Sequence, residues 1–181
     1  MSKSWKLRGE IDWDTAITGL LPHQRAFIGR PERNAAYVGG MGSGKSVALC
    51  ILCISNALRD PGGFSLVGRL NYPALINSTM RIFIELVPER FGEFHPTAKT
   101  FRFFNGHEVV FHHLDITDPK VAGPIKSMNL SAAYIDEATE ISQEVYLLVD
   151  GRVVRHGRGN LGRLGRRAFF FDHDACRLIR R

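Results

Sequence analysis

The sequence predicts an α/β fold: a mainly parallel sheet covered by helices on both faces, with a β-hairpin inserted. Three observations predict it. Short apolar segments alternate with longer helix-like ones, the order that builds a parallel sheet. A glycine-rich segment ending in Lys45-Ser46 lies where the first such strand meets the first long helix. An Asn105-Gly106 pair separates two runs rich in β-branched and aromatic residues, a hairpin signal.

The elements follow in order. Ala36-Tyr37-Val38 is apolar, ends in glycines and reads as a strand entering a loop. From Ser46 to about Leu58 no breaker interrupts an apolar run until Asp60-Pro61-Gly62-Gly63, which suits a buried helix. Phe64–Arg69 reads as a second strand. Pro73 to Leu86 has helical spacing (Leu75, Ile76, Met80, Ile82, Phe83, Leu86) and stops before Pro88. Phe101–Phe104 and Glu108–Phe111 flank the Asn105-Gly106 turn, Ala132–Ile135 forms a strand ending at Asp136-Glu137, and Ser142–Leu148 forms a helix. Beyond Gly151 the composition shifts to Gly and Arg, and only Ala168–Phe171 is consistent with one more strand.

Charge divides the chain the same way. The net charge is +6, yet residues 1–151 carry 15 basic and 16 acidic side chains, while 152–181 carry nine Arg and two Asp. The expectation is a domain over 1–151 followed by an Arg/Gly-rich tail over 152–181. Such a tail suits either a solvated end or phosphate contact. With 44% hydrophobic and 23% charged residues the chain is neither disordered nor fibrous. No apolar run approaches the roughly 20 residues of a membrane helix, and Met1–Lys6 does not begin an apolar leader. An intracellular protein with no membrane partner is expected. Cys50 and Cys53 sit in an apolar run and read as core, not as half of a zinc site. Cys176 stands alone.

Three segments carry chemistry. Gly39-Gly40-Met41-Gly42-Ser43-Gly44-Lys45-Ser46 matches GxxxxGK[ST], the P-loop. Its glycines let backbone N–H groups face a triphosphate, and the following helix N-terminus favours an anion. Lys45 can reach the β/γ-phosphates, and the Ser46 hydroxyl can ligate Mg²⁺. The second segment is the strand ending in Asp136-Glu137. Asp136 is placed to hold Mg²⁺, directly or through water, and an adjacent carboxylate, Glu137, can orient water for attack on a γ-phosphate. The third is Leu21–Phe27. There Gln24 offers a paired donor and acceptor for an adenine edge, while Phe27 reads as packing. Arg69, at a strand end, suits phosphate sensing, DNA contact or plain surface. His112-His113 with Asp115, and Asp172-His173-Asp174, resemble metal clusters only loosely.

Leu21-Pro22-His23-Gln24, the Gly39–Ser46 loop, the Asn105-Gly106 hairpin and Ile135-Asp136-Glu137-Ala138-Thr139-Glu140, in this order, resemble the ATPase domain of tailed-bacteriophage terminase large subunits over roughly residues 15–150. The resemblance implies a three-layer P-loop NTPase of the RecA-like (ASCE) type that uses ATP and Mg²⁺ to drive double-stranded DNA into a procapsid. It implies a homo-oligomeric ring at the portal, a portal protein and a small terminase subunit as partners, and work in the host cytoplasm, transiently at the procapsid portal. Nucleotide binding falls to Gln24, Gly39, Gly40, Met41, Gly42, Ser43, Gly44, Lys45 and Ser46, the metal to Ser46 and Asp136, and catalysis to Glu137 and Lys45.

Met41 stands where the family often has Arg, so phosphate sensing has to come from elsewhere, such as Arg90 or a tail Arg of a neighbouring subunit. The Gly/Arg-rich end does not resemble the family's Ser/Thr-rich coupling motif, and its nuclease domain is expected to be absent. Two other readings stand beside this one: another DNA-dependent P-loop ATPase of helicase or recombinase type, and a fragment that binds nucleotide without turnover. A small-molecule kinase fits less well, because Glu137 favours water as acceptor.

DNA cutting is not expected of this chain. The purified 181-residue protein should leave duplex DNA intact with Mg²⁺ or Mn²⁺ on a gel assay, and metal-dependent cleavage contradicts the reading.

Overall fold

The computed structural model describes residues 13–30, 32, 34–153 and 166–172. Helices α1 (Trp13–Thr18) and α2 (Pro22–Ile28) precede strand β1 (Asn34–Gly39), helix α3 (Lys45–Arg59) and β2 (Phe64–Arg69). One helical stretch then runs through α4 (Tyr72–Ala74), a π-helical turn (Leu75–Met80) and α5 (Arg81–Leu86). Strands β3 (Gly92–His95), β4 (Thr100–Phe103) and β5 (Glu108–His113) follow, then α6 (Pro119–Ser127), β6 (Ala132–Ile135), α7 (Gln143–Arg152) and β7 (Arg166–Asp172).

The seven strands form one sheet in the order β1-β7-β6-β2-β5-β4-β3. The first five are parallel, and β4 and β3 extend the sheet antiparallel. The expected mainly parallel sheet with an inserted hairpin is present. The strand read at Ala168–Phe171 lies between β1 and β6, so part of the Arg/Gly-rich segment is built into the sheet. Register then aligns the strand ends: Gly39 pairs with Asp172, Ile135 with Phe169, and Gly68 with Ile135. The carboxyl ends of β1, β6 and β2 therefore open on one edge, where parallel sheets collect ligands.

Strand alternation divides the core between two faces. From β2 and β6, Val67, Ala132 and Tyr134 pack with α3 and α5 residues such as Leu49, Ile51 and Phe83. Leu66, Ala133 and Ile135 face the other way, onto Val121 and Ile125 of α6 and Val145 and Val149 of α7. This is the three-layer arrangement. Cys50 and Cys53 are free and buried in the first layer. The α3 run is apolar because it is covered on nearly all sides, as an unbroken apolar run implies.

The hairpin differs in detail from its sequence signal. Only Gly106 takes a positive φ (84°); Asn105 does not. The turn closes through Gly106 N–H to Phe103 O (2.9 Å) and Phe103 N–H to His107 O (2.8 Å), a longer turn ending in a left-handed glycine. Asn105 works instead as a cap on another element. Its Nδ2 donates to Ala57 O (2.9 Å) and Leu58 O (3.3 Å), carbonyls in the last turn of α3, of which Ala57 O also accepts from Asp60 N–H (3.3 Å). Elements α1, α2, β3 and α6 go beyond the sequence expectation. Breaker residues hide α6: Pro119 opens it, capped by Asp118 Oδ1 accepting from Lys120 N–H (2.8 Å), and Pro124 lies inside.

The tip of the hairpin carries His107, which is fully buried. Its Nε2 pairs with Ser65 Oγ (2.9 Å) and its Nδ1 with Asp60 O (2.7 Å), with Asp60 Oδ2 at 3.6 Å. Ser65 and Asp60 are buried too, so this Ser–His–Asp grouping is sealed from substrate and fastens the hairpin to the end of α3. Burial holds the His107 pKa below its usual value, outweighing the upward pull of the Asp60 carbonyl and the charges of Asp60 and Glu108. The unfolded chain therefore binds a proton at His107 more readily than the folded one. That contribution to stability is complete above about pH 6.5 and shrinks as pH falls below it. Thermal melts between about pH 8 and 5 should show the loss, and His107→Gln, though less stable, should show a flatter profile. Parallel profiles for the two proteins contradict the assignment.

Candidate functional site

The loop between β1 and α3 is shaped by two glycines in left-handed conformation, Gly42 (φ 77°) and Gly44 (φ 75°). A Cβ on Gly44 would also stand 2.5 Å from Gln24 Nε2. Met41 projects from the loop tip, 94% exposed. Lys45, the first residue of α3, is buried and folds back over the loop, its Nζ donating to Gly39 O (2.8 Å) and Gly40 O (3.0 Å). The ammonium thus lies at the mouth of the cradle, where a phosphate oxygen would accept a charge-assisted hydrogen bond from it.

Asp136 follows β6 and is fully buried. Its backbone N–H donates to Gly68 O (2.9 Å), which fixes its place at the strand edge. Ser46 Oγ donates to Asp136 Oδ2 (3.0 Å), joining the P-loop helix to the acidic strand end across 90 residues of chain. Thr79, in the π-helical turn, donates to the same oxygen at 2.5 Å. Asp136 Oδ1 is buried without a hydrogen-bond partner. A buried carboxylate with one oxygen lacking a hydrogen-bond partner, joined to a serine hydroxyl through the other, is an all-oxygen donor set that fits a hard divalent cation such as Mg²⁺.

Glu137 comes next, half-buried, with φ 48° and ψ 54°. A left-handed glutamate is strained, and such residues cluster at functional sites. The chain then turns through a 3₁₀ segment, Ala138–Glu140, closed by Glu140 N–H to Glu137 O (3.0 Å). Arg69, at the end of β2, approaches Glu140 with Nε 3.8 Å from Oε2. It therefore stands beside the acidic turn.

Gln24 is brought to the loop as well. Its Oε1 accepts from Leu21 N–H (2.9 Å), and its Nε2 lies 3.2 Å from Gly44 O and 3.5 Å from Ser43 O. Both ends of the amide thus hold backbone, and an adenine edge would have to exchange for those partners. Phe27 is buried edge-on against Tyr37 of β1, at 5.0 Å between centroids. Arg90 lies over the Phe91 ring at 5.2 Å. The His112 and His113 rings stack at 5.3 Å, and among the described residues no group of three His, Cys, Asp or Glu side chains could hold a metal. His173 and Asp174 lie outside the described residues, and of Asp172 only the backbone is described.

Sequence reasoning did not identify Thr79. A threonine inside a helical run carries no signal for contact with a carboxylate 57 residues away.

No protein-family profile and no individually curated protein matches this sequence. Solved structures do match. The large terminase ATPase domain of Thermus phage P74-26 superposes with a TM-score of 0.60 at 16% identity, over 91% of this chain and 70% of that one. The bacteriophage HK97 large terminase gives 0.66 at 10% identity, over 89% of this chain and 37% of that one. The large terminase of a thermophilic bacteriophage, solved in complex with ADP, gives 0.63 at 13% identity, over 83% of this chain and 38% of that one. The chain thus has the RecA-like P-loop fold of those ATPase domains and spans under two fifths of the two longer terminase chains.

The left-handed backbone at residue 137 can be measured directly. Glu137→Gly and Glu137→Ala both remove the carboxylate, but only glycine adopts that conformation at little cost. The glycine variant should be more stable by about 1 kcal/mol, which for a chain of this size raises Tm by about 2–4 °C relative to the alanine variant. Equal melting temperatures contradict a strained residue 137.

Proposed function

We propose that this chain is the ATP-hydrolysing motor domain of a phage terminase large subunit, driving double-stranded DNA into a procapsid. The observation that carries the reading is the Ser46–Asp136 hydrogen bond, which puts the P-loop and an Asp-Glu strand end at one sheet edge. The likeness of the whole fold to terminase ATPase domains supports the choice of motor.

In this reading the loop Gly39, Gly40, Met41, Gly42, Ser43, Gly44 wraps the phosphates of ATP, and Lys45 leaves its backbone carbonyls for the β/γ oxygens. Ser46 and Asp136 hold Mg²⁺, which when bound neutralises charge on the triphosphate. Glu137 orients a water against the γ-phosphorus and takes its proton as the oxygen–phosphorus bond forms and ADP departs. Gln24 supports the loop and is the candidate reader of adenine. Arg69 and Arg90 are candidate charges near the departing phosphate, in this subunit or across a ring. The ATPase domain is drawn as residues 1–151 completed by β7, and the rest of 152–181 as an Arg/Gly-rich tail. The proposed partners are DNA, a portal protein, a small terminase subunit and further copies of this chain, with work in the host cytoplasm at the procapsid portal. No described helix is long and apolar enough to cross a membrane.

Steady-state ATPase assays with and without duplex DNA test the proposal. The wild-type chain should release phosphate, and Glu137→Gln should be slower by about 100-fold or more while still binding nucleotide. Equal rates in the two proteins contradict the role of Glu137, and two rates indistinguishable from zero favour a nucleotide-binding domain without turnover.

A further inference from the structure

We propose that Thr79 is a positioning residue for the magnesium-binding carboxylate, fixing one oxygen of Asp136 so that the other is presented to the cation. The inference rests on the ATPase reading of the site and adds to it a residue outside the P-loop and the acidic strand end. Thr79 is fully buried, and its Oγ1 donates to Asp136 Oδ2 at 2.5 Å. Ser46 Oγ donates to the same Oδ2, while Oδ1 is buried with no partner.

The two hydroxyls have different fates when a cation binds. Ser46 would be a ligand, its hydroxyl oxygen offering a lone pair to the metal while its O–H still donates to Asp136, so its orientation would have to serve both. Thr79 has no such duty. It then becomes the hydroxyl that keeps the carboxylate from rotating, the outer-shell task that metal-binding carboxylates generally require.

Its own placement is well determined. Thr79 sits in the π-helical turn Leu75–Met80, which buries Leu75 and Met80 along with it. Single π turns inside α-helices occur frequently at functional sites. The turn is also tied to the P-loop helix, because Cys50 Sγ donates to Thr79 O at 3.5 Å. Cys50 lies one helical turn beyond Ser46, so one face of α3 holds both Asp136 and the residue that steadies it. Burial, then Cys53 and Asp136, push the Cys50 thiol well up, keeping it a neutral donor.

The test is a Mg²⁺ titration of the binding of a fluorescent, non-hydrolysable ATP analogue to the full 181-residue chain, with binding of the same analogue in EDTA as the folding control. Thr79→Val keeps the shape and removes the donor, and Thr79→Ser keeps the donor. Thr79→Val should raise the Mg²⁺ midpoint about tenfold or more with metal-free binding unchanged, and Thr79→Ser should stay close to wild type. If the valine variant does not fold, the serine variant is read against Thr79→Ala. A valine or alanine midpoint equal to wild type overturns the inference and leaves the ATPase reading standing, as does an equal loss of binding with and without Mg²⁺. A wild-type chain that binds no nucleotide at any Mg²⁺ concentration overturns the ATPase reading and this inference with it.

Discussion

A hydrogen bond between Ser46 and Asp136 joins two segments 90 residues apart and fixes what the rest of the molecule has to arrange. The sheet supplies the geometry. With β1, β7, β6 and β2 parallel and adjacent, the ends of the P-loop strand and the acidic strand fall on one edge. Helix α3 leaves the loop into the same core cluster as Tyr134, Ala132 and Val67, and its first turn meets Asp136. Removing β7 from between β1 and β6 would separate the two halves of the site.

A carboxyl group with no solvent exposure is costly unless its oxygens are satisfied. At Asp136 one oxygen is satisfied twice, by Ser46 and Thr79, and the other not at all. Asp60 likewise keeps a buried Oδ1 without a hydrogen-bond partner; what sets Asp136 apart is the P-loop helix's Ser46 hydroxyl on its other oxygen. The asymmetry suits a ligand that completes the carboxylate when it arrives. Lys45 complements the carboxylate with the opposite charge, a buried ammonium that donates to the Gly39 and Gly40 carbonyls at the loop. The strain at Glu137 belongs with these two.

Much of this is legible in the sequence, for physical reasons. The P-loop is legible because its glycines, lysine and serine serve local backbone geometry, and local geometry is written in adjacent residues. Strands β2 and β6 and helix α3 are legible because they are buried on nearly every side and so read as unbroken apolar runs. The convergence of Gly39–Ser46 with Asp136-Glu137 follows from residue types and order, and the fold supplies it. What escapes depends on contacts between distant segments. Thr79 reads as an ordinary polar position on a helix. His107 reads as part of a hairpin and lies instead against Ser65 and Asp60. Asn105 reads as a turn residue and caps α3. Helix α6 is hidden by Pro119 and Pro124, of which the first occupies a helix start that proline tolerates. Gln24 stands out for its amide, and the fold gives that amide a backbone task on the P-loop.

The central claim is that a glycine loop and a distant carboxylate pair serve one magnesium-bound triphosphate. A crystal structure of the chain with Mg²⁺ and a non-hydrolysable ATP analogue tests it most directly. The account predicts phosphates in the Gly39–Ser46 loop, one cation shared by Ser46 and the Asp136 carboxylate, and Glu137 facing the terminal phosphate. Nucleotide bound elsewhere, or a cation that neither Ser46 nor Asp136 holds, directly or through water, would contradict it.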